Sequence, residues 1–204
     1  MDKRIYVVKK DNGSFVKLSV RNPNSEETEI ADIEYSKAFV KALKNQIPTA
    51  RAMEKILAES GTWTSEDDKK LNDIIEEGAK LEEVLSDEKT SEGEKKEIEK
   101  RLDELRDISA DLRREKNSYY NHTAESKAAD AQRDCTVVLV TRFADSDLPV
   151  WKSLDDFLKE EDGGLVYRAV YEYLAFINGV EGLPDDVKDD KKEDKTEVVE
   201  AEKA

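Results

Sequence analysis

Histidine and cysteine are the side chains most often used as bases, nucleophiles and transition-metal ligands, and this 204-residue sequence has one of each, His122 and Cys135. A nucleophile needs a base within hydrogen-bond reach, and a zinc site needs three or four ligands. With no second His or Cys to complete a set, His122 reads as a surface or helix-end residue and Cys135 as a buried structural thiol. Carboxylates are abundant instead, and Asp67-Asp68, Glu76-Glu77, Glu82-Glu83, Asp155-Asp156 and Asp189-Asp190 are adjacent pairs. General acid and base work needs carboxyls placed against the reacting group. In a chain with 49 acidic residues, solvated helix faces explain such pairs better. Residues 185–190 lack the glycine and twelve-residue ligand spacing of an EF-hand loop. There is no P-loop, dinucleotide fingerprint or Gly-rich phosphate cradle. The expectation is a non-enzymatic protein with no catalytic residue, no cofactor and no metal.

Tyr119 and Tyr120, with Arg113 and Arg114 a turn or two earlier, are the residues that could stack bases and screen phosphates. Against that reading, Glu94 to Lys116 holds eight basic and eight acidic residues, the pattern of a salt-bridged helix surface. A net charge of −15 and a pI near 4.7 also argue against a nucleic-acid partner, because phosphate binding needs clustered Lys and Arg. The alternative that acidity leaves is an acidic regulator or a DNA-mimic-type inhibitor of a nucleic-acid-binding protein. Residues 66–92 hold eleven acidic and four basic side chains, but the balanced stretch after them interrupts a phosphate-like array.

Those groups are carried by two heptad-like helices around which the chain is organised. Thr64 with Asp67, and Ser91 with Glu94, are capping boxes, and residues 86–93 between the arms are polar. Leu71, Ile74, Ile75, Leu81 and Leu85 fall on one face of the first arm, and Ile98, Leu102, Leu105, Ile108 and Leu112 on one face of the second. The two rows are expected to form the seam of a protruding antiparallel coiled-coil hairpin. Small residues at Ala124, Ala128, Ala131 and Cys135 predict that the second helix continues into a closely packed region. The apolar run 137–140 fits helix or buried strand, and a helix ending near Arg142 is the reading adopted.

Toward the N-terminus, Ile5 and Val7, then Phe15, Val16, Leu18 and Val20, flank Asp11-Asn12-Gly13 and predict a β-hairpin. Residues 30–35 are expected to add a third strand, Ser36 to cap a helix, and Pro48 to kink it or start another. C-terminally, Ser153 caps a short helix, Gly163-Gly164 breaks it, and Leu165 to Ile177 forms an amphipathic helix whose aromatics pack with the helix around Ala128. From Pro184 the composition is that of a disordered acidic tail. The fold class expected is α+β, mainly α. Its segments are 1–35, a β-hairpin element; 36–62, a kinked helix; 63–117, the helical hairpin; 118–183, a helical pack with a short extended piece; and 184–204, the tail.

Three stretches carry a resemblance: Leu57 to Asp67 (LAESGTWTSED), the helix from Thr123-Ala-Glu125 to Arg133, and Val150-Trp-Lys-Ser-Leu-Asp-Asp-Phe-Leu158. They resemble helical-hairpin proteins of the virion-assembly modules of tailed bacteriophages. The resemblance implies a tail or baseplate assembly factor with no catalytic residues to carry over. The partners expected are proteins, including further copies of the chain, with Tyr119, Tyr120 and Trp151 as contact residues. No stretch approaches 18 apolar residues and no signal-peptide run opens the sequence, so no membrane association is expected. The compartment expected is the cytoplasm, that of the host for a phage protein, or the virion.

Overall fold

Alternation in the first 21 residues produces two strands, β1 (Lys3–Lys9) and β2 (Phe15–Arg21), paired antiparallel with Tyr6 opposite Leu18 and Val8 opposite Val16. Gly13 takes φ 81° in the connecting turn, a conformation costly for any residue with a Cβ. The computed structural model describes residues 3–87 and 90–186. Its further elements are α1 (Ser25–Lys44), α2 (Ala50–Ser60), α3 (Ser65–Leu85), α4 (Glu92–Tyr120), α5 (Ala124–Val140), β3 (Thr141–Phe143), α6 (Leu154–Leu158) and α7 (Gly163–Ile177). The fold is α+β and mainly helical, with the small N-terminal β-hairpin, the antiparallel helical hairpin and the C-terminal helices expected from the sequence. The chain divides into two units, residues 33–131 and the described residues of 1–32 with 132–204.

In the second of these, the third strand is not residues 30–35 but β3, which pairs antiparallel with β2 and makes the order β1-β2-β3. Residues 30–35 lie inside α1, and so does Ser36, which is an interior residue of that helix and not its N-cap. The helix starts earlier because Asn24 Oδ1 accepts the Glu27 N–H at 2.9 Å while Glu27 Oε2 accepts the Asn24 N–H at 2.9 Å. Arg21 then forks onto both Glu27 oxygens at 2.7 and 2.6 Å, and that guanidinium holds the carboxyl below the usual glutamate range. The 136–142 stretch is both things at once, helix through Val140 and strand from Thr141.

The core of this unit is Tyr6, Val8, Leu18 and Val20 from the sheet, Val137, Val138 and Val140 from α5, Trp151 and Phe157, and Leu165, Ala169 and Phe176 from α7. The part of α5 that meets the aromatics is therefore its last turn and not the stretch around Ala128, which is buried in the other unit. Gly163-Gly164 does separate two helices, but as the first turn of α7, where Asp162 Oδ1 accepts the Leu165 N–H at 2.9 Å. The tail boundary also moves. Residues 184–186 are bonded to β1 and α7, while 187–204 lie outside the described residues.

In the unit of residues 33–131, a second helix does begin next to Pro48, with Thr49 and not the proline at its N-cap. Gln46 at φ 61° leads out of α1, and Thr49 Oγ1 accepts the Ala52 N–H at 3.2 Å to start α2. Pro48 O accepts the Ala124 N–H at 2.9 Å and Glu125 Oε2 accepts the Ala50 N–H at 2.7 Å, so the starts of α2 and α5 satisfy each other's exposed groups. The second arm does not run on to Cys135. Asn121 to Thr123 break it, and Thr123 Oγ1 accepts the Ser126 N–H at 3.3 Å to start α5. A buried threonine can cap a new helix more favourably than it can continue an old one.

Candidate protein-docking surface

The hairpin of α3 and α4 is built by its two starts. Asp67 Oδ2 accepts the Thr64 N–H and hydroxyl, both at 2.8 Å. Glu94 Oε2 accepts the Ser91 N–H at 3.0 Å and hydroxyl at 2.7 Å, while Ser91 Oγ accepts the Glu94 N–H at 3.4 Å. These bonds hold both carboxyls below their usual range, that of Asp67 through the Thr64 amide first and that of Glu94 through the Ser91 hydroxyl first. At the turn, the Thr90 hydroxyl donates to the Val84 carbonyl at 2.8 Å and closes the last turn of α3.

Between the arms the apolar rows meet as expected. Leu71, Leu102 and Leu105 are buried, and Ile74, Leu81, Leu85, Ile98 and Leu112 are half-buried. Ile75 and Ile108 are not seam residues. They are 39% and 42% exposed, and Val84 is 48% exposed, because two helices side by side cover one narrow stripe and leave its margins to solvent. A groove of about 410 Å³ runs between Leu81, Val84, Thr90, Glu94, Glu97 and Ile98. Another, of about 270 Å³, has Ile74, Ile75, Gly78, Ala79, Leu105 and Arg113 among its walls. Charge closes the hairpin from outside, with Arg101 Nη2 2.8 Å from Glu77 Oε1 and Arg106 Nη2 3.1 Å from Glu82 Oε1. Exposed as they are, these pairs add little stability.

Near the start of α3 lies a group that sequence reasoning missed. Trp63 is buried, its indole N–H donates to Asp68 Oδ1 at 2.9 Å, and Lys116 Nζ donates to the same oxygen at 2.6 Å while standing 5.9 Å from the Trp63 ring centre. Lys116 first and Trp63 second hold the Asp68 carboxyl below its usual range. The signal was a tryptophan placed just before a capping box with an acid one position beyond it.

Of the expected contact residues, Tyr119 and Tyr120 are half-buried on the last turn of α4, and the Tyr119 hydroxyl donates to Glu115 Oε1 at 3.2 Å. Arg114 is paired with Asp111 at 2.8 Å. Trp151 is not a surface residue. It is 3% exposed, edge-on to Phe157, and donates its indole N–H to Glu160 Oε2 at 3.1 Å, so its ring is spent on the core. His122 is exposed in the break between α4 and α5, and Cys135 is buried. Among the described residues, no group of three or more His, Cys, Asp or Glu side chains is arranged to hold a metal ion, and no helix is long and apolar enough to cross a membrane.

Comparison of the chain with protein-family models, with curated proteins and with solved structures gives no match.

Proposed function

We propose that the chain is a non-enzymatic docking protein whose α3/α4 hairpin receives helical segments of a protein partner along its two open grooves. The observation that carries this reading is the exposure of Ile75 and Val84, one in the wall of each groove, beside a seam already closed at Leu102 and Leu105. A helix with apolar side chains at i, i+3, i+4 and i+7 fills such a groove by ordinary ridge-and-groove packing. Joined to the resemblance that residues 57–67, 123–133 and 150–158 carry to phage virion-assembly proteins, the specific form of the proposal is an assembly factor or accessory component of a tailed-bacteriophage virion.

The DNA-mimic reading draws less support, since Glu77 and Glu82 are paired with Arg101 and Arg106 and do not stand as free phosphate-like charges. The test is crosslinking mass spectrometry on the protein from its native cell, with Ile75→Glu and Val84→Glu introduced together. Loss of the crosslinked partner with helical content unchanged supports the proposal. Retention of the partner by the variant, or crosslinks that avoid both grooves, overturns it. A partner that DNA displaces, with binding that falls steeply with salt, favours the mimic instead.

A further inference from the structure

β1 is an edge strand, and its outer N–H groups would ordinarily face water or another strand. Here Val7 N–H donates to Asp185 Oδ1 at 2.8 Å and Lys9 N–H to Asp186 Oδ2 at 2.7 Å, while Asp186 N–H donates to the Val7 carbonyl at 3.3 Å. α7 holds the same segment by its main chain. Arg168 donates to the Leu183 carbonyl at 2.7 Å and the Pro184 carbonyl at 2.9 Å, and Glu172 Oε1 accepts the Leu183 N–H at 3.0 Å. Arg4 donates to the Val180 carbonyl at 2.6 Å and lies 3.5 Å from Glu172 Oε2.

Arg168 and Glu172 are buried and lie 3.0 Å apart. Their desolvation is costly, and a mutual ion pair alone recovers it poorly. The backbone of residues 183 and 184 bonds both terminal nitrogens of Arg168 and one oxygen of Glu172, while Arg168 Nε, though close to Glu172, makes no hydrogen bond. The segment is read as a bound peptide is read, by its main chain and by two acidic side chains. Gly182 lets the segment pass this close, since a Cβ there would lie against the Glu172 carboxylate inside contact distance and that buried side chain would have to shift. The segment's hold is polar and its outer part is open, with the Asp185 side chain 51% exposed, so it can lift where a second copy of the segment takes its place on Arg168 and Glu172.

We propose that the cleft between the outer edge of β1 and α7 is a peptide-binding site for an extended Gly-Leu-Pro-Asp-Asp segment, filled by residues 182–186 of the same chain and able to take that segment from a second copy in exchange. A second copy is the occupant chosen because each copy carries both the site and the segment that fits it. Asn178-Gly179, with Gly179 at φ 66°, supplies the reversal after α7 where the path can change. A tethered segment competes at high effective concentration, so the closed form dominates in dilute solution.

The test uses the whole 204-residue chain and a labelled peptide of residues 179–186. Gly182→Ala, and independently Asp185→Asn with Asp186→Asn, should speed hydrogen exchange at Val7 and Lys9. Either variant should bind the peptide at least about tenfold more tightly than the unaltered chain, because the competing tether is weakened. Added peptide should restore slow exchange at both amides. Exchange that stays slow in both variants, or peptide that fails to restore it, overturns the proposal.

Discussion

Lys116 Nζ and Asp68 Oδ1 lie 2.6 Å apart, and this contact ties the start of α3 to the C-terminal half of α4 beside the buried Trp63 ring. The two residues are 48 positions apart in sequence, so the bond exists only when the hairpin has closed. It makes hairpin closure sensitive to acid.

The sign follows from the lowered Asp68 pKa. Its stabilising contribution is fully present above the ordinary aspartate value of 3.8 and is lost as pH falls through the lower value of the folded chain. Asp68→Asn should therefore lower stability at neutral pH and flatten the acid limb of the stability curve below about pH 4. With the Asp68 side chain 44% exposed, solvent screening keeps the effect modest. Urea unfolding of both proteins across the acid range checks this. Parallel acid limbs would mean that Asp68 is ionised alike in folded and unfolded chains.

The seam was legible because Leu102 and Leu105 keep a three-residue spacing among charges, but their energetic rank against Ile108 was not, because periodicity gives a face and not its width. Leu102→Ala or Leu105→Ala should cost about 2–5 kcal/mol, as for a buried leucine, whereas Ile108→Ala should stay within about 1 kcal/mol. Equal costs at the three positions, measured by denaturant unfolding, would mean that the rows are covered in solution.

Other features were hidden for reasons that can be named. Residues 30–35 read as strand because Ile30, Ile33 and Tyr35 supply β-forming side chains, and the helix was decided upstream by the Asn24–Glu27 cap, in a polar stretch with no apolar periodicity. β3 has three residues, too few for alternation to register, and its pairing is long-range. Trp151 looked like a contact because nothing local shows that Phe157 will cover it. Arg168 and Glu172 could have been found: on α7 they share the buried face with Leu165, Ala169 and Phe176, and a charge pair at i, i+4 among core positions calls for a partner elsewhere. The proposed surface was legible as a row of residues, while its grooves depend on how far apart the two helices lie.

Gly78 sits inside α3 with nothing within 4 Å of where a Cβ would be. Gly78→Ala should stabilise the hairpin by about 0.5–1 kcal/mol, since alanine loses less backbone entropy on entering a helix. The same methyl narrows the 270 Å³ groove, so partner binding at the hairpin should weaken as thermal stability rises. Opposite shifts in melting temperature and in crosslinking yield are the expected result, and parallel shifts would move the docking face off this groove.

Glu172→Gln should destabilise its unit by about 3–5 kcal/mol, the usual cost of leaving one partner of a buried ion pair uncompensated. Two explanations of that loss can be separated. If Arg168 and Glu172 served only each other, replacing both with apolar residues, Arg168→Met and Glu172→Leu, would recover most of the stability. The geometry predicts no such recovery, because the Leu183 N–H and the Leu183 and Pro184 carbonyls would then lose their partners together. Urea unfolding should place the double variant near the single one, and hydrogen exchange at Val7 and Lys9 should be fast in both. A double variant as stable as the unaltered chain, with slow exchange at those amides, would show that the edge of β1 holds the segment without α7.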